Sequence, residues 1–253
     1  MNLIQNSRLN FNLNEHEKCK AFIKKFKPDW VINSAAYTNV DLAEKEDELA
    51  YSINALAPKA IAEAVRETNG RLLHISTDYV FNGKQNKPYS TNQKVSPIGI
   101  YGKSKALGEK YVKEILGIKD RCVILRTSWL SGPIGNNFVL KMLSLHKDRE
   151  EISVVSDQLG NPTSTINLAK VCWEIIQNSK RTQTSFKKYP KIMHWSDEGV
   201  ASWYDIAYEL GQLGEKYCLF PKAAEVIPIS SDEYKTLASR PHYSVLDCTK
   251  TEN

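Results

Sequence analysis

Cysteine is scarce, and no long apolar run exists. The five cysteines (Cys19, Cys122, Cys172, Cys218 and Cys248) are odd in number, widely scattered and never in a C-x-x-C pair. That excludes a disulfide framework and suits a reducing compartment. No apolar stretch approaches the ~20 residues needed to span a bilayer, and "MNLIQNSRLNFN" has no signal-peptide core. A soluble, cytoplasmic protein with no membrane partner is the expectation. The histidines (His16, His74, His146, His194 and His242) have no paired ligands at metal-binding spacing, so no metal is expected. The net charge of +5 is dispersed in mixed-sign runs such as "EKEDE" (44–48) and "KKFK" (24–27). No face concentrates Lys and Arg, which argues against nucleic acid.

What is present is alternation. Short β-branched runs at 29–36, 71–77, 121–129, 151–155 and 191–196 are separated by segments of helical period at about 13–26, 47–68, 100–116, 136–148, 164–179 and 201–213. The strands are too apolar to have a wet face, so an α/β fold with a parallel sheet covered on both sides is predicted. Ligands of such sheets bind beyond the carboxyl ends of the strands. Those ends read "NSAAYT" (33–38), "STDYVF" (76–81) and "RTSW" (126–129), all richer in polar groups than the runs before them. Residues 82–97 have no apolar period and read as a long surface loop. The pattern loosens after residue 155, which predicts a first domain over 1–155 and a smaller lobe over 156–253.

One short motif carries chemistry. "YGKSK" (101–105) sets Tyr101 and Lys105 four residues apart, on one helix face a turn apart. A cation beside a phenol favours the phenolate, so Lys105 is expected to lower the Tyr101 pKa and let it pass a proton near neutral pH. Ser76 and Thr77, ending the preceding strand, are candidates to position a carbonyl.

"YGKSK", with "STDYVFNG" (76–83), "INSAAYTNVDLAE" (32–44), "INALAP" (53–58), "RTSW", "NNFV" (136–139), "DQLGNPT" (157–163) and "RPHYSVLD" (240–247), resembles the dTDP-4-dehydrorhamnose reductases, extended short-chain dehydrogenase/reductases. The similarity runs in order from about residue 9 to 248. The resemblance implies a Rossmann-like doubly wound sheet and an NADPH-dependent (or NADH-dependent) reduction of dTDP-4-dehydro-L-rhamnose to dTDP-L-rhamnose. It makes Thr77, Tyr101 and Lys105 catalytic, with Tyr101 and Lys105 also at the cofactor. Ala35, Ala36 and Thr38 match the strip of small residues along the cofactor. Asp78, Trp129 and Arg240 match substrate-side positions, although Trp129 could equally be core and Arg240 could equally form a structural ion pair. Asn54, Asp41 and Glu44 match motifs that fix helix and loop ends. A dTDP-sugar is the implied partner, and a homodimer is compatible with the fold.

The chain departs from that family at its start. A strand, a G-x-x-G-x-x-G turn and a helix normally hold the pyrophosphate there, whereas the first glycine here is Gly70. The expected sheet therefore lacks its first βαβ elements, leaving the strand at 29–36 as an edge, and NADPH binding and reductase activity by these residues should be much weakened. That loss keeps open a second expectation: a non-catalytic binding subunit of the same fold, like the regulatory partners of methionine adenosyltransferase.

Overall fold

Apolar side chains along the two inner strands point alternately to opposite faces of one sheet, and each face is covered by helices. The computed structural model describes residues 2–6, 11–117, 121–181 and 191–252. Residues 9 and 10, where the similarity begins, lie outside that range. In chain order the elements are α1 (His16–Phe26), β1 (Trp30–Asn33), α2 (Asp47–Tyr51), a π turn (Ser52–Leu56), α3 (Ala57–Glu67), β2 (Arg71–Thr77), a 3-10 turn (Asp78–Val80) and α4 (Ile100–Leu116). There follow β3 (Cys122–Thr127), β4 (Leu130–Ser131), α5 (Phe138–Asp148), β5 (Glu151–Val155), β6 (Leu159–Gly160), β7 (Thr163–Ser164), α6 (Thr165–Arg181), β8 (Ile192–His194), β9 (Ala201–Ser202), α7 (Trp203–Lys216), β10 (Glu225–Ile229) and α8 (Thr249–Glu252).

The main sheet has the order β1-β2-β3-β8, with every pair parallel. Leu72, Cys122 and Ile124 face α1, α3 and α4 through Ile23, Ile61, Val65, Val112 and Leu116. Leu73, Ile75, Val123 and Leu125 face the other way, onto Leu168, Val171, Cys172 and Ile175 of α6. This is the doubly wound arrangement expected from the two-sided apolar strands. Beyond it, β5 pairs in parallel with β10. Met142, Ile152, Val154, Ala207 and Ala224 form a separate core there, with α5 and α7 packed around it.

Several local expectations change. The first strand stops at Asn33, and 34–36 leave the sheet as an extended segment. The predicted helix at 47–68 is broken by the π turn, where the backbone of Asn54 passes so near α4 that a Cβ on Gly108 would sit 2.2 Å from the Asn54 carbonyl oxygen. Residues 82–97 are not wholly a surface loop. Tyr89 is buried, stacks on Phe81 at 4.2 Å and is clamped between Val245 and Asp247 by backbone hydrogen bonds of 2.8 and 2.9 Å. β10 went unpredicted because Pro228 and flanking polar residues interrupt its apolar run.

Candidate active site

The α4-facing surface of the sheet changes character along the strands. At the N-terminal end it is Leu72, Cys122 and Ile124; toward the carboxyl end the same face carries His74, Ser76 and Arg126, with His194 beside Arg126 on β8. α4 lies over this polar end. It can approach closely because two positions have no side chain: a Cβ on Gly102 would meet the Tyr79 carbonyl oxygen at 2.2 Å, and Gly108 meets Asn54 as above. The first turn of α4 is held by Glu44, whose Oε1 accepts the Ile100 N–H at 2.8 Å.

Thr77, Asp78 and Tyr101 come together at the end of β2. Thr77 caps the 3-10 turn, accepting the Tyr79 N–H at 3.2 Å and donating to Asp78 Oδ1 at 3.0 Å. Its hydroxyl also lies within hydrogen-bonding reach of the half-buried Tyr101 phenol. Tyr79 packs edge-on against Tyr101 with 5.5 Å between ring centroids. Burial pushes Tyr101 up to about 12; the Thr77 hydroxyl opposes the rise and the Asp78 carboxylate adds to it. The expected lowering by Lys105 is not what the geometry gives. The lysine is buried and sends its Nζ to the Ile75 carbonyl at 2.7 Å, toward the sheet. Burial depresses Lys105 to about 8, with Glu109 acting against the fall.

Asp78 is only 2% exposed, and burial raises it to about 6 against the Ser244 and Thr77 hydroxyls. Among the described residues, Asp78 Oδ2 has no partner of good hydrogen-bond geometry, and neither has the buried Thr127 Oγ1 at the matching end of β3. Asp78 Oδ2, a buried polar atom without such a partner near the Tyr101 phenol, is open to a polar ligand.

Ala35, Ala36 and Thr38 follow β1. Ala35 and Thr38 are exposed and Ala36 half-buried, so the strip offers small side chains outward. It is tied to α4 through one buried residue. Asn54 accepts the Tyr37 N–H at 2.8 Å, donates to the Tyr37 carbonyl at 3.0 Å and donates to Ser104 Oγ at 3.1 Å, next to Lys105. Sequence reading left Asn54 among the helix-end residues; its π-turn placement, which no local pattern signals, gives it this bridging position.

The substrate-side residues divide. A cavity of about 690 Å³ lies between α5, β5, α7 and the segment 231–242, with Phe138, Trp203 and Tyr234 on its walls and Lys141, Lys235, Arg240 and His242 as basic groups. Arg240 is the one predicted site residue that lines it. Its guanidinium pairs with Asp41 at 2.5 Å and also donates to the Ala238 carbonyl at 3.1 Å. Trp129 is one layer behind: its indole stacks on Trp203 at 3.6 Å and 6°. Its backbone is held at φ 44°, and a Cβ on Gly160 would fall 2.5 Å from its ring.

The geometry suits the nicotinamide-ribose end of a dinucleotide. Lys105 Nζ spends one of its three donors on the Ile75 carbonyl, and the 35–38 strip is linked through Asn54 to Ser104, the residue before Lys105. The pyrophosphate end is not matched by a glycine turn, since residues 1–69 contain none.

A family model described as the RmlD substrate binding domain matches residues 1–253. The chain is 40% identical over 232 residues to the dTDP-4-dehydrorhamnose reductase of Aggregatibacter actinomycetemcomitans, an alignment covering 92% of this chain and 77% of that protein. It is 36% identical over 231 residues to the dTDP-4-dehydrorhamnose reductase of Salmonella typhimurium, covering 90% and 74%. Among solved structures, a dTDP-4-dehydrorhamnose reductase from Clostridium acetobutylicum superposes with a TM-score of 0.88 at 37% identity, over 98% of this chain and 82% of the other. The dTDP-4-dehydrorhamnose reductase from Bacillus anthracis in complex with NADP gives 0.84 at 36% identity, over 96% and 80%. With the ordered motifs and the doubly wound sheet, these similarities establish that the chain belongs to the dTDP-4-dehydrorhamnose reductase family.

Proposed function

We propose that the chain reduces the C4 carbonyl of dTDP-4-dehydro-L-rhamnose to give dTDP-L-rhamnose, with NADPH as the reductant. The observation that carries this reading is the convergence of Thr77, Tyr101 and Lys105 at the carboxyl end of β2 and the first turns of α4. NADPH, when bound, supplies the hydride for the carbonyl carbon; Lys105 and the Ala35, Ala36 and Thr38 strip are the residues that would hold its nicotinamide-ribose end.

The chain's own groups handle the oxygen. A phenol at about 12 keeps its proton at neutral pH, so Tyr101 meets the carbonyl as an acid. It releases that proton only to the strongly basic alkoxide that develops during reduction. Thr77, fixed by Tyr79 and Asp78, orients the oxygen toward the phenol without reorganising. Lys105, cationic below about 8, presents its free N–H donors to a ribose hydroxyl. The basic and aromatic walls of the 690 Å³ cavity, Arg240 among them, suit a nucleoside diphosphate, and the Arg240 charge is felt at Tyr79 beside Tyr101. Asp78 offers its unpartnered Oδ2 to a sugar hydroxyl, and Trp129 supports that wall through Trp203.

The test is product analysis. The purified chain, incubated with dTDP-4-dehydro-L-rhamnose and millimolar NADPH, is expected to form dTDP-L-rhamnose with one NADPH oxidised per product. No product at that concentration, with the substrate still bound, would favour the binding-subunit reading instead.

A further inference from the structure

The segment that carries Arg240 along the 690 Å³ cavity is exposed over residues 232–237, and its two ends are fixed by carboxylates from elsewhere in the chain. At one end Asp157 accepts the Ser231 N–H at 3.0 Å and the Ser231 hydroxyl at 2.6 Å. At the other end Asp41 Oδ1 accepts the Ala238 N–H at 3.1 Å and one Arg240 nitrogen at 3.2 Å, while Oδ2 accepts from the second Arg240 nitrogen at 2.5 Å. Ala238 is 2% exposed, so the wall is pinned where Asp41 reaches it. Asp41 lies 199 positions away from Arg240 in the chain.

The place of Asp41 in the fold ties that wall to the rest of the site. Asp41 is the N-cap of a 3-10 turn, Leu42–Glu44, which follows the strip of Ala35, Ala36 and Thr38. Glu44, at the opposite end of the turn, accepts the Ile100 N–H one residue before Tyr101. The strip is bound to the residues just beyond the turn by the Tyr37 hydroxyl, which donates to Glu46 Oε2 at 2.7 Å. At Gly99 the elements come together: a Cβ there would sit 2.9 Å from Glu44 Oε1 and 3.7 Å from the Ser239 carbonyl oxygen. The start of α4 and the Arg240 segment are set against one turn.

We propose that Asp41 is a positioning residue for Arg240: its carboxylate fixes the guanidinium, and the cavity wall with it, relative to the helix that carries Tyr101, so that the diphosphate of a sugar nucleotide meets a guanidinium already oriented. The inference rests on the reading of the cavity as the sugar-nucleotide site. A guanidinium presents five N–H donors in a rigid fork. Three are committed, two to Asp41 and one to the Ala238 carbonyl, and the remaining two lie in the same plane. Stability does not explain the pair. The Asp41 and Arg240 side chains are 36% and 21% exposed, and an ion pair in contact with water adds little to folding. A two-pronged pairing of carboxylate and guanidinium fixes direction instead. Without it, the cost of ordering a long, flexible side chain would fall on ligand binding.

The probe is dTDP alone, titrated calorimetrically into the full chain, so neither NADPH nor turnover enters the measurement. The proteins compared are the parent, Asp41→Ala, Asp41→Asn, Arg240→Met and Asp41→Ala/Arg240→Met. Asp41→Ala is expected to weaken dTDP binding about 3- to 10-fold, the worth of immobilising one such side chain. Asp41→Asn keeps an acceptor for the Ala238 N–H and should lose less, while melting within about 4 °C of the parent. Arg240→Met should cost about 10-fold or more, and the double variant should bind as Arg240→Met does, because no guanidinium is left to position. Unchanged or tighter dTDP binding by the folded Asp41 variants would overturn the proposal, the carboxylate then being idle or a competitor for the guanidinium. Additive losses in the double variant would overturn it too, since Asp41 would then act apart from Arg240. Arg240→Met binding dTDP as the parent does would remove the reading of the cavity itself, and the proposal with it.

Discussion

Two titrating side chains at the site carry opposite penalties. Asp78 is raised to about 6 by burial, so the folded protein binds a proton that the unfolded chain has released between roughly pH 4 and 6. Its contribution to stability falls as pH rises through that window and is at its lowest above pH 6. Asp78→Asn should therefore stabilise the chain near pH 7 by on the order of 2–3 kcal/mol, with the advantage shrinking toward pH 4. Denaturant unfolding at the two pH values checks it, and a constant difference would contradict the assignment. Lys105→Met, by contrast, should weaken nicotinamide cofactor binding about 10-fold or more, the worth of a hydrogen bond from a charged donor, and lower turnover with it. Calorimetry with NADPH measures the first effect, and unchanged affinity would mean the ammonium does not reach the ribose.

At the scale of elements, the site depends on α4 lying unusually close to its neighbours. Gly108→Ala puts a methyl 2.2 Å from the Asn54 carbonyl oxygen, a backbone atom that cannot swing away. Despite the better helix propensity of alanine, the expected outcome is a loss of about 1–3 kcal/mol and a Tm lower by about 2–4 °C for each kcal/mol. An unchanged Tm would show that the π turn yields freely. These contacts also mark where the sequence was legible. The strands and their flanking helices follow from two-sided apolar runs, and Tyr101 with Lys105 follows from an i, i+4 spacing. Asn54 and Ser104 were not legible as parts of the site, because their roles arise from α4 crossing the π turn, a contact between residues 50 positions apart. The same holds for Lys105: its spacing from Tyr101 gave the right face, but burial and the Ile75 carbonyl decide where Nζ goes.

At the largest scale, residues 1–69 carry no glycine from which the usual pyrophosphate-binding turn could be built. Backbone N–H groups and the positive end of a first helix usually grip the pyrophosphate, each contact worth ~0.3–2 kcal/mol and several acting together. A polypeptide of these residues should therefore bind NADPH orders of magnitude more weakly than a chain in which such a turn is present, at ~1.4 kcal/mol per tenfold. Micromolar affinity in a calorimetric titration would show that another segment or a second subunit provides the grip. The sugar nucleotide should fare better, because Lys141, Trp203, Tyr234 and Arg240 already enclose the cavity proposed for it.

The most direct measurement compares the turnover of dTDP-4-dehydro-L-rhamnose by the chain and by Tyr101→Phe, each at millimolar NADPH so that weak cofactor binding does not mask chemistry. The phenylalanine removes only the proton donor and leaves the edge-on packing against Tyr79 in place. The predicted result is a fall in turnover of at least ~100-fold with substrate affinity unchanged. Equal turnover by the two proteins would contradict the account, because the oxygen would then receive its proton from elsewhere.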